Sequence, residues 1–247
     1  MSRFALPAIT ILIFALFIAG CEKLGEQKMA FETDGLKVEW LGHSGFRLTG
    51  ERKIIYIDPF QLAEAAAAKK ADIILITHEH YDHCSRQDVA KVMTSDTIIV
   101  TVADCQSKLS GLSVKEIVLV EPNNVYDVAG LKIATVPAYN LATRFHQKIN
   151  GWVGFVLTLA GKRIFHAGDS DFAPEMKSLK NIDIAMMPVG GNYTMGANEA
   201  AAAVNSFKPN VAIPMHYGAI QGTAGIEAAE NFKREAKVEV VILEKSS

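Results

Sequence analysis

The chain has 247 residues, 49% of them hydrophobic and 21% charged, which describes one good-sized globular domain or at most two small ones and excludes a disordered chain. Its formal charge is −2, from 25 Lys+Arg against 27 Asp+Glu, and no basic stripe interleaved with aromatics runs through it, which argues against a nucleic-acid partner. No repeat of solenoid length and no linker rich in Pro, Gly or Ser divides it after its first residues, so one folded domain is expected.

In chain order, residues 1–20, MSRFALPAITILIFALFIAG, open with Arg3 and continue as an apolar run too short and too abruptly ended to span a bilayer. They read as an export signal peptide. Ile18, Ala19 and Gly20 stand immediately before Cys21, a junction that resembles the lipobox of bacterial lipoproteins and implies lipid attachment at Cys21; an uncleaved N-terminal anchor is the alternative. Either reading leaves the rest of the chain outside the cytoplasm and tied to a membrane, and attachment through more than one acyl chain would be stable. Residues 21–34 then form a tether and residues 35–247 the domain.

Beyond the tether, short β-branched runs recur: LKVEWL, KIIYI, DIILIT, TIIVTV, EIVLV, LKIATV, WVGFVLTL, RIFH, DIAMMPV, NVAIPM and VEVVIL. Helix-length stretches separate several of them, at Gln61–Lys70, Ser85–Met93, Ala197–Phe207 and Gly225–Ala236, the third halted by Pro209. Some strands alternate in polarity and others are apolar throughout, a mixture that fits two sheets packed face to face with helices outside. The alanine-rich stretch Ala197–Phe207 suits close packing on a sheet.

Directly after the apolar run ADIILI comes THEHYDH, residues 77 to 83. His78 and His80 share one side of an extended backbone, with Asp82 and His83 beyond the turn. Four nitrogen and oxygen donors in one loop exceed what one tetrahedral ion takes once a water and outside ligands are counted, so the spacing points to two metals a few ångströms apart. The helical His-Glu-x-x-His zinc motif is excluded, because His83 stands five residues after His78. The other histidines are His43, His146, His166 and His216, and three of these close strand-like runs: LKVEWL, RIFH and NVAIPM. Strand ends on one rim are where sites are usually built.

The order T-H-E-H-Y-D-H, then HAGD, then PMHYG resembles the metallo-β-lactamase fold superfamily. The phrases WLGHSGF, IDPF, HAGDSDF and MMPVGGNYTMG narrow the resemblance to its lactonase-like and phosphodiesterase-like branch, which includes ascorbate-6-phosphate lactonase-like proteins. The resemblance implies an α/β fold, an αββα sandwich of two mixed sheets flanked by helices, with a dinuclear centre at one edge, usually zinc and sometimes manganese or iron. Carried over, His78 and His80 hold the first metal, Asp82, His83 and His216 the second, and Asp169 bridges. The family's third ligand to the first metal normally follows a strand ending in proline and a small residue, and here VPA is followed by Tyr139 and Asn140. His146 is the candidate in its place, and Asn140 the fallback.

Around the metals, Asp58 is expected to fix the tautomer of a ligating imidazole. His43 and His166 are expected either as groups behind the ligands or contacting substrate, or as satisfied core histidines. The Tyr193 hydroxyl is a donor to a developing oxyanion, or its loop is only a glycine-rich turn. Cys84 and Cys105 are left open between pairing, staying free and, for Cys84, sitting beside the metals; Cys105 reads best as a small buried hydrophobe. The implied chemistry is hydrolysis of a small-molecule lactone or phosphodiester by a metal-bridging hydroxide that Asp82 and Asp169 orient. Two alternatives stand beside it. One is an iron-dependent redox enzyme on the same fold, opposed by His80, where such di-iron members usually carry glutamate. The other is an envelope lipoprotein that binds metal without turnover.

Overall fold

The computed structural model describes residues 28–246; the export signal and Cys21 lie outside them. Two seven-stranded sheets form the molecule. The first runs in strict chain order: β1 (Phe31–Thr33), β2 (Leu36–Gly42), β3 (Gly45–Gly50), β4 (Lys53–Ile57), β5 (Ile73–Ile76), β6 (Ile98–Thr101) and β7 (Glu116–Leu119). Strands β1 to β4 pair antiparallel through tight turns, and β4 to β7 pair parallel. The second sheet repeats that scheme with β8 (Val125–Val128), β9 (Leu131–Pro137), β10 (Val153–Leu159) and β11 (Lys162–His166) antiparallel. β11, β12 (Ile184–Pro188), β13 (Val211–Met215) and β14 (Glu239–Val240) pair parallel. With the flanking helices α1 (Arg86–Val92), α2 (Gln106–Leu109), α3 (Ala197–Phe207) and α4 (Ile226–Glu235), this is the αββα sandwich the motifs imply.

Composition explains the pairing. β5 and β6, IILI and IIVT, are buried along their whole length, as strands inside a parallel sheet covered on both faces must be. β13 carries Pro214, yet the short β14 pairs only with Val211 and Ala212, so the proline falls where that neighbour has ended and costs no ladder bond there. α3 buries Ala200, Ala201, Ala203, Val204 and Phe207; its alanines let it lie close on β12. No helix among the described residues is long and apolar enough to cross a membrane.

Three expectations change. The stretch Gln61–Lys70 is a set of turns instead of a helix. Its alanine-rich composition favours a helix, but tertiary partners take its backbone groups: the Asp88 carboxylate accepts from the amides of Gln61 and Leu62. The Tyr56 hydroxyl and Arg47 guanidinium reach the carbonyl of Ala66, and Tyr56 also that of Lys69. Residues 28–34, expected as tether, join the fold, since Phe31–Thr33 pairs with β2 and Lys28 bridges to Leu243. VEVVIL contributes only Glu239 and Val240 to the sheet, with Leu243 in the isolated bridge to Lys28.

The sheets meet along one edge, where hydrogen bonds cross between them. Val153 N donates to Thr77 O at 3.2 Å and His216 N to His43 O at 2.9 Å. His166 Nε2 donates to Ser44 O, 122 residues earlier, at 2.9 Å. That edge carries the histidines.

Candidate metal centre

Five acidic or imidazole side chains of the rim leave the end of a strand: His43 after β2, Asp58 after β4, His78 after β5, Asp169 after β11 and His216 after β13. The chain must swing sharply there. His43, Asp58 and His216 have φ of 52°, 43° and 59°, a left-handed conformation that costs a non-glycine residue of order 1–3 kcal/mol and persists where surrounding contacts hold it. Gly190 makes room for the last of these, because a Cβ there would stand 2.1 Å from His216 O.

The donors fall into three overlapping groups, each with ligand atoms within 4.8 Å of one another: His78, His80 and His146; His78, His83 and Asp169; and His43, Asp82, His83 and His216. Asp169 touches both ends of the array. Its Oδ2 lies 3.0 Å from His216 Nε2, 3.4 Å from His146 Nε2 and 3.9 Å from His78 Nε2, and its Oδ1 lies 3.3 Å from His83 Nε2. His146, on the loop after β9, thus comes back to the rim beside His78 and His80, whereas His43 stands closer to the donors than the sequence suggested.

Hydrogen bonds behind the rings decide which nitrogen faces inward. Asn140 Nδ2 donates to Asp171 Oδ1 at 2.9 Å and to Tyr193 O at 3.0 Å, so its Oδ1 must accept, from His146 Nδ1 at 2.9 Å and Thr143 Oγ1 at 2.8 Å. His146 Nε2 is therefore left with a lone pair. Asn140 consequently orients a histidine, and its oxygen has no capacity left to serve as the fallback ligand. Asp58, fully buried, does the same for two rings. It accepts from His83 Nδ1 at 2.8 Å, from Thr77 N at 2.8 Å and from Thr77 Oγ1 at 2.7 Å. The Thr77 oxygen in turn accepts from His78 Nδ1 at 2.9 Å. His166 differs from the rest: Nε2 donates to Ser44 O and Nδ1 accepts from Gly168 N at 3.2 Å. Both nitrogens are satisfied, so this ring braces the turn before Asp169 and belongs to none of the donor groups.

Charge follows the same division. Burial pushes His78 and His80 below the ordinary imidazole range and His43 down to about 4, so these rings are neutral near pH 7. Burial alone would raise Asp82 and Asp169, but the hydrogen bond from His43 and the field of His83 hold Asp82 at about 2. His216 and His83 hold Asp169 well below the carboxylate range. At His83 the fields of Asp169 and Asp58 outweigh burial and favour a positive charge, which a cation at its Nε2 would equally supply. The neutral His78 and His80 rings and the ionised Asp82 and Asp169 are in the protonation states a divalent cation requires, and His83 would release its proton to bind one.

The residues fit a metal on a further ground. His83 Nε2, His146 Nε2 and Asp169 Oδ1 are buried with no hydrogen-bond partner. A buried polar atom left unsatisfied costs about 1–3 kcal/mol, and three such atoms converge here.

Sequence reasoning did not single out Trp152. Its indole packs 4.8 Å from His78, 4.8 Å from His80 and 5.5 Å from His146, centroid to centroid, and its Nε1 donates to Asp104 at 3.0 Å. Its position opening WVGFVLTL, paired through Val153 to the end of β5, was the available signal. Cys84 and Cys105 are buried and unpaired, and neither joins a donor group. Over the donors opens a cavity of about 250 Å³, lined also by Tyr81, Phe145, Tyr193, Ile220 and Thr223. Tyr193 packs edge-on against Phe145 at 4.8 Å.

A model of the beta-lactamase superfamily domain matches residues 37–216. A UPF0173 metal-dependent hydrolase of Thermococcus onnurineus is 36% identical over 220 residues, covering 84% of this chain and 96% of that protein. Among solved structures, a protein of Parabacteroides distasonis named for a metal-dependent hydrolase superposes with a TM-score of 0.74 at 32% identity, over 89% of this chain and 99% of the other. A metallo hydrolase of Ignicoccus hospitalis superposes with a TM-score of 0.70 at 24% identity, over 86% and 96% of the two chains, and supports the fold.

Proposed function

This chain belongs to the metallo-β-lactamase superfamily as a metal-dependent hydrolase, and on that premise we propose that it is a dinuclear hydrolase acting on a small-molecule lactone or phosphodiester. The observation that carries this reading is the pair of donor sets spanned by one carboxylate, Asp169, with buried unpartnered nitrogens aimed between them. His78, His80 and His146 would hold the first ion, Asp82, His83 and His216 the second, with Asp169 shared between them; zinc suits this nitrogen-rich set best, with manganese or iron as alternatives.

Divalent ions bound there would lower the pKa of a water towards neutrality and would polarise the scissile carbonyl or phosphoryl oxygen. The chain's own residues do the rest. Asp82 and Asp169, ionised at neutral pH, accept hydrogen bonds from the attacking water and aim it. His43 donates to Asp82 Oδ2 at 2.9 Å and fixes that carboxylate. Tyr193 borders the cavity and offers its hydroxyl to the oxygen that gains charge. His80 occupies the position where a di-iron oxygen-reducing site carries glutamate, so hydrolysis is the favoured chemistry.

The test is metal content by mass spectrometry on the full chain, with hydrolysis of a simple γ-lactone and of bis(p-nitrophenyl) phosphate. Two ions per chain, reduced towards one by Asp82→Ala with loss of turnover, is the expected result; two ions retained in that variant refutes the ligand assignment. For the segment outside the described residues, we place the domain in the cell envelope through lipid on Cys21, and radiolabelled palmitate incorporation that survives Cys21→Ser would overturn that placement.

A further inference from the structure

We infer that the substrate is an uncharged acyl compound, a lactone or ester, bearing an apolar arm that lies on Tyr81 and Phe145; this narrows the hydrolase reading above and rests on it. Two observations converge. Apart from the donor residues, the cavity wall consists of Tyr81, Phe145, Tyr193, Ile220 and Thr223. Among the described residues it brings no lysine or arginine to the reacting centre. A phosphodiester enters as an anion and gathers further charge on its non-bridging oxygens, and sites built for it commonly supply cationic side chains. Acyl transfer develops a single oxyanion, for which the Tyr193 hydroxyl and the ions suffice.

The second observation is where apolar surface is left exposed. Tyr81 is 66% exposed, Leu141 57%, Phe145 52% and Ile149 88%. All four sit on the two loops that carry His80 and His146. Tyr81 and Phe145 also line the cavity, and large apolar side chains left exposed at the mouth of a cleft mark a binding surface. The cavity itself, about 250 Å³, is small beside ordinary ligand sites of about 300–1,000 Å³. The reacting group and the first carbons of the arm fit inside, and the remainder lies across the Phe145 ring, which Tyr193 supports edge-on. Bond breaking is balanced: water adds to the acyl carbon, the carbon to alkoxy-oxygen bond breaks, and the alkoxy oxygen leaves with a proton.

The experiment measures kcat/KM of the metal-loaded full chain on γ-lactones carrying methyl, butyl and octyl arms, beside bis(p-nitrophenyl) phosphate. Burial of each added methylene is expected to raise kcat/KM about threefold to fourfold until the arm passes the rim. The alkyl lactones should exceed the phosphodiester by at least about 100-fold, a margin of roughly 2.7 kcal/mol in barrier. Phe145→Ala should flatten the dependence on arm length through KM, Phe145→Leu should restore most of it, and metal content should match the parent in both. A phosphodiester turned over faster than every lactone, or a flat dependence in the parent protein, overturns the inference and leaves the hydrolase reading standing. Absence of turnover on all four compounds with both ions bound overturns the two together.

Discussion

Replacing Asn140 by alanine separates a residue that orients a ligand from one that is a ligand. The native side chain is buried and makes four hydrogen bonds, with His146 and Thr143 on its oxygen and Asp171 and Tyr193 on its nitrogen. Truncation removes the acceptor that holds the proton on His146 Nδ1, so the ring is free to take the other tautomer or rotate away from Asp169. Loss of a partner behind a metal-bound histidine typically lowers metal affinity about 10- to 100-fold, equivalent to about 1.4–2.7 kcal/mol. The first ion should feel it most, because His83 on the second is braced from another direction by Asp58. Titration against a chromogenic chelator reads the two ions separately. The expected pattern is one weakened site in Asn140→Ala, a far larger loss in His146→Ala, and partial recovery in Asn140→Asp, which keeps an acceptor for His146 but sets a second carboxylate against Asp171. Equal loss in the alanine variants of Asn140 and His146 would refute the argument, since it would make Asn140 a ligand, and unchanged affinity in Asn140→Ala would show that its hydrogen bond orients nothing.

Asp58→Ala should weaken both ions at once, by about tenfold or more each, because its carboxylate braces His83 directly and His78 through Thr77; the same chelator titration checks it. Gly190→Ala should displace His216, whose carbonyl stands 2.1 Å from the added Cβ, and lose the second ion while the far-ultraviolet circular dichroism stays near that of the parent. Removing the ions with a chelator should lower Tm, since a ligand present at about 100 times its Kd stabilises the folded state by about 2.7 kcal/mol; an unchanged Tm would show that no ion is bound. Acid should expose a different pair. Glu39 is buried in a two-pronged contact with Arg47 at 2.8 and 2.9 Å, and although burial opposes its charge, Arg47 holds the carboxyl below its usual value of 4.5. A depressed folded-state pKa contributes stability above the unfolded value that is lost as pH falls through the folded one. Chemical denaturation from pH 7 to 3 should therefore show a fall below about pH 4.5 that Glu39→Gln diminishes. Arg47→Met, which leaves the carboxylate only the half-exposed Lys37 at 3.6 Å, should cost up to about 3 kcal/mol at pH 7.

The strands were legible wherever β-branched residues ran unbroken, as in KIIYI or DIILIT. Phe31–Thr33, Gly45–Gly50 and Val125–Val128 escaped notice because FET, GFRLTG and VYDV are too short, too glycine-bounded or too polar to stand out, and pair because a neighbouring strand offers them a ladder. The stretch Gln61–Lys70 erred in the other direction. Its helix propensity is real, but it amounts to a few tenths of a kcal/mol per residue, and the Asp88, Tyr56 and Arg47 contacts outweigh it.

What the sequence determined by itself is most of the rim's inventory: the candidate donors and the place of several at strand ends, because spacing within HEHYDH and the passage from apolar run to polar loop are local properties. Only the tertiary structure decided how those residues are used. It turned Asn140 from fallback ligand into the partner of His146, made one carboxylate, Asp58, serve two rings, set His166 aside as a brace, and brought Trp152 and Phe145 to the centre. Each of these depends on contacts between segments distant in the chain, such as the 122 residues between Ser44 and His166. A hydrogen bond is directional and saturable, so its partner is fixed by where the other segment arrives in space, which no local spacing encodes.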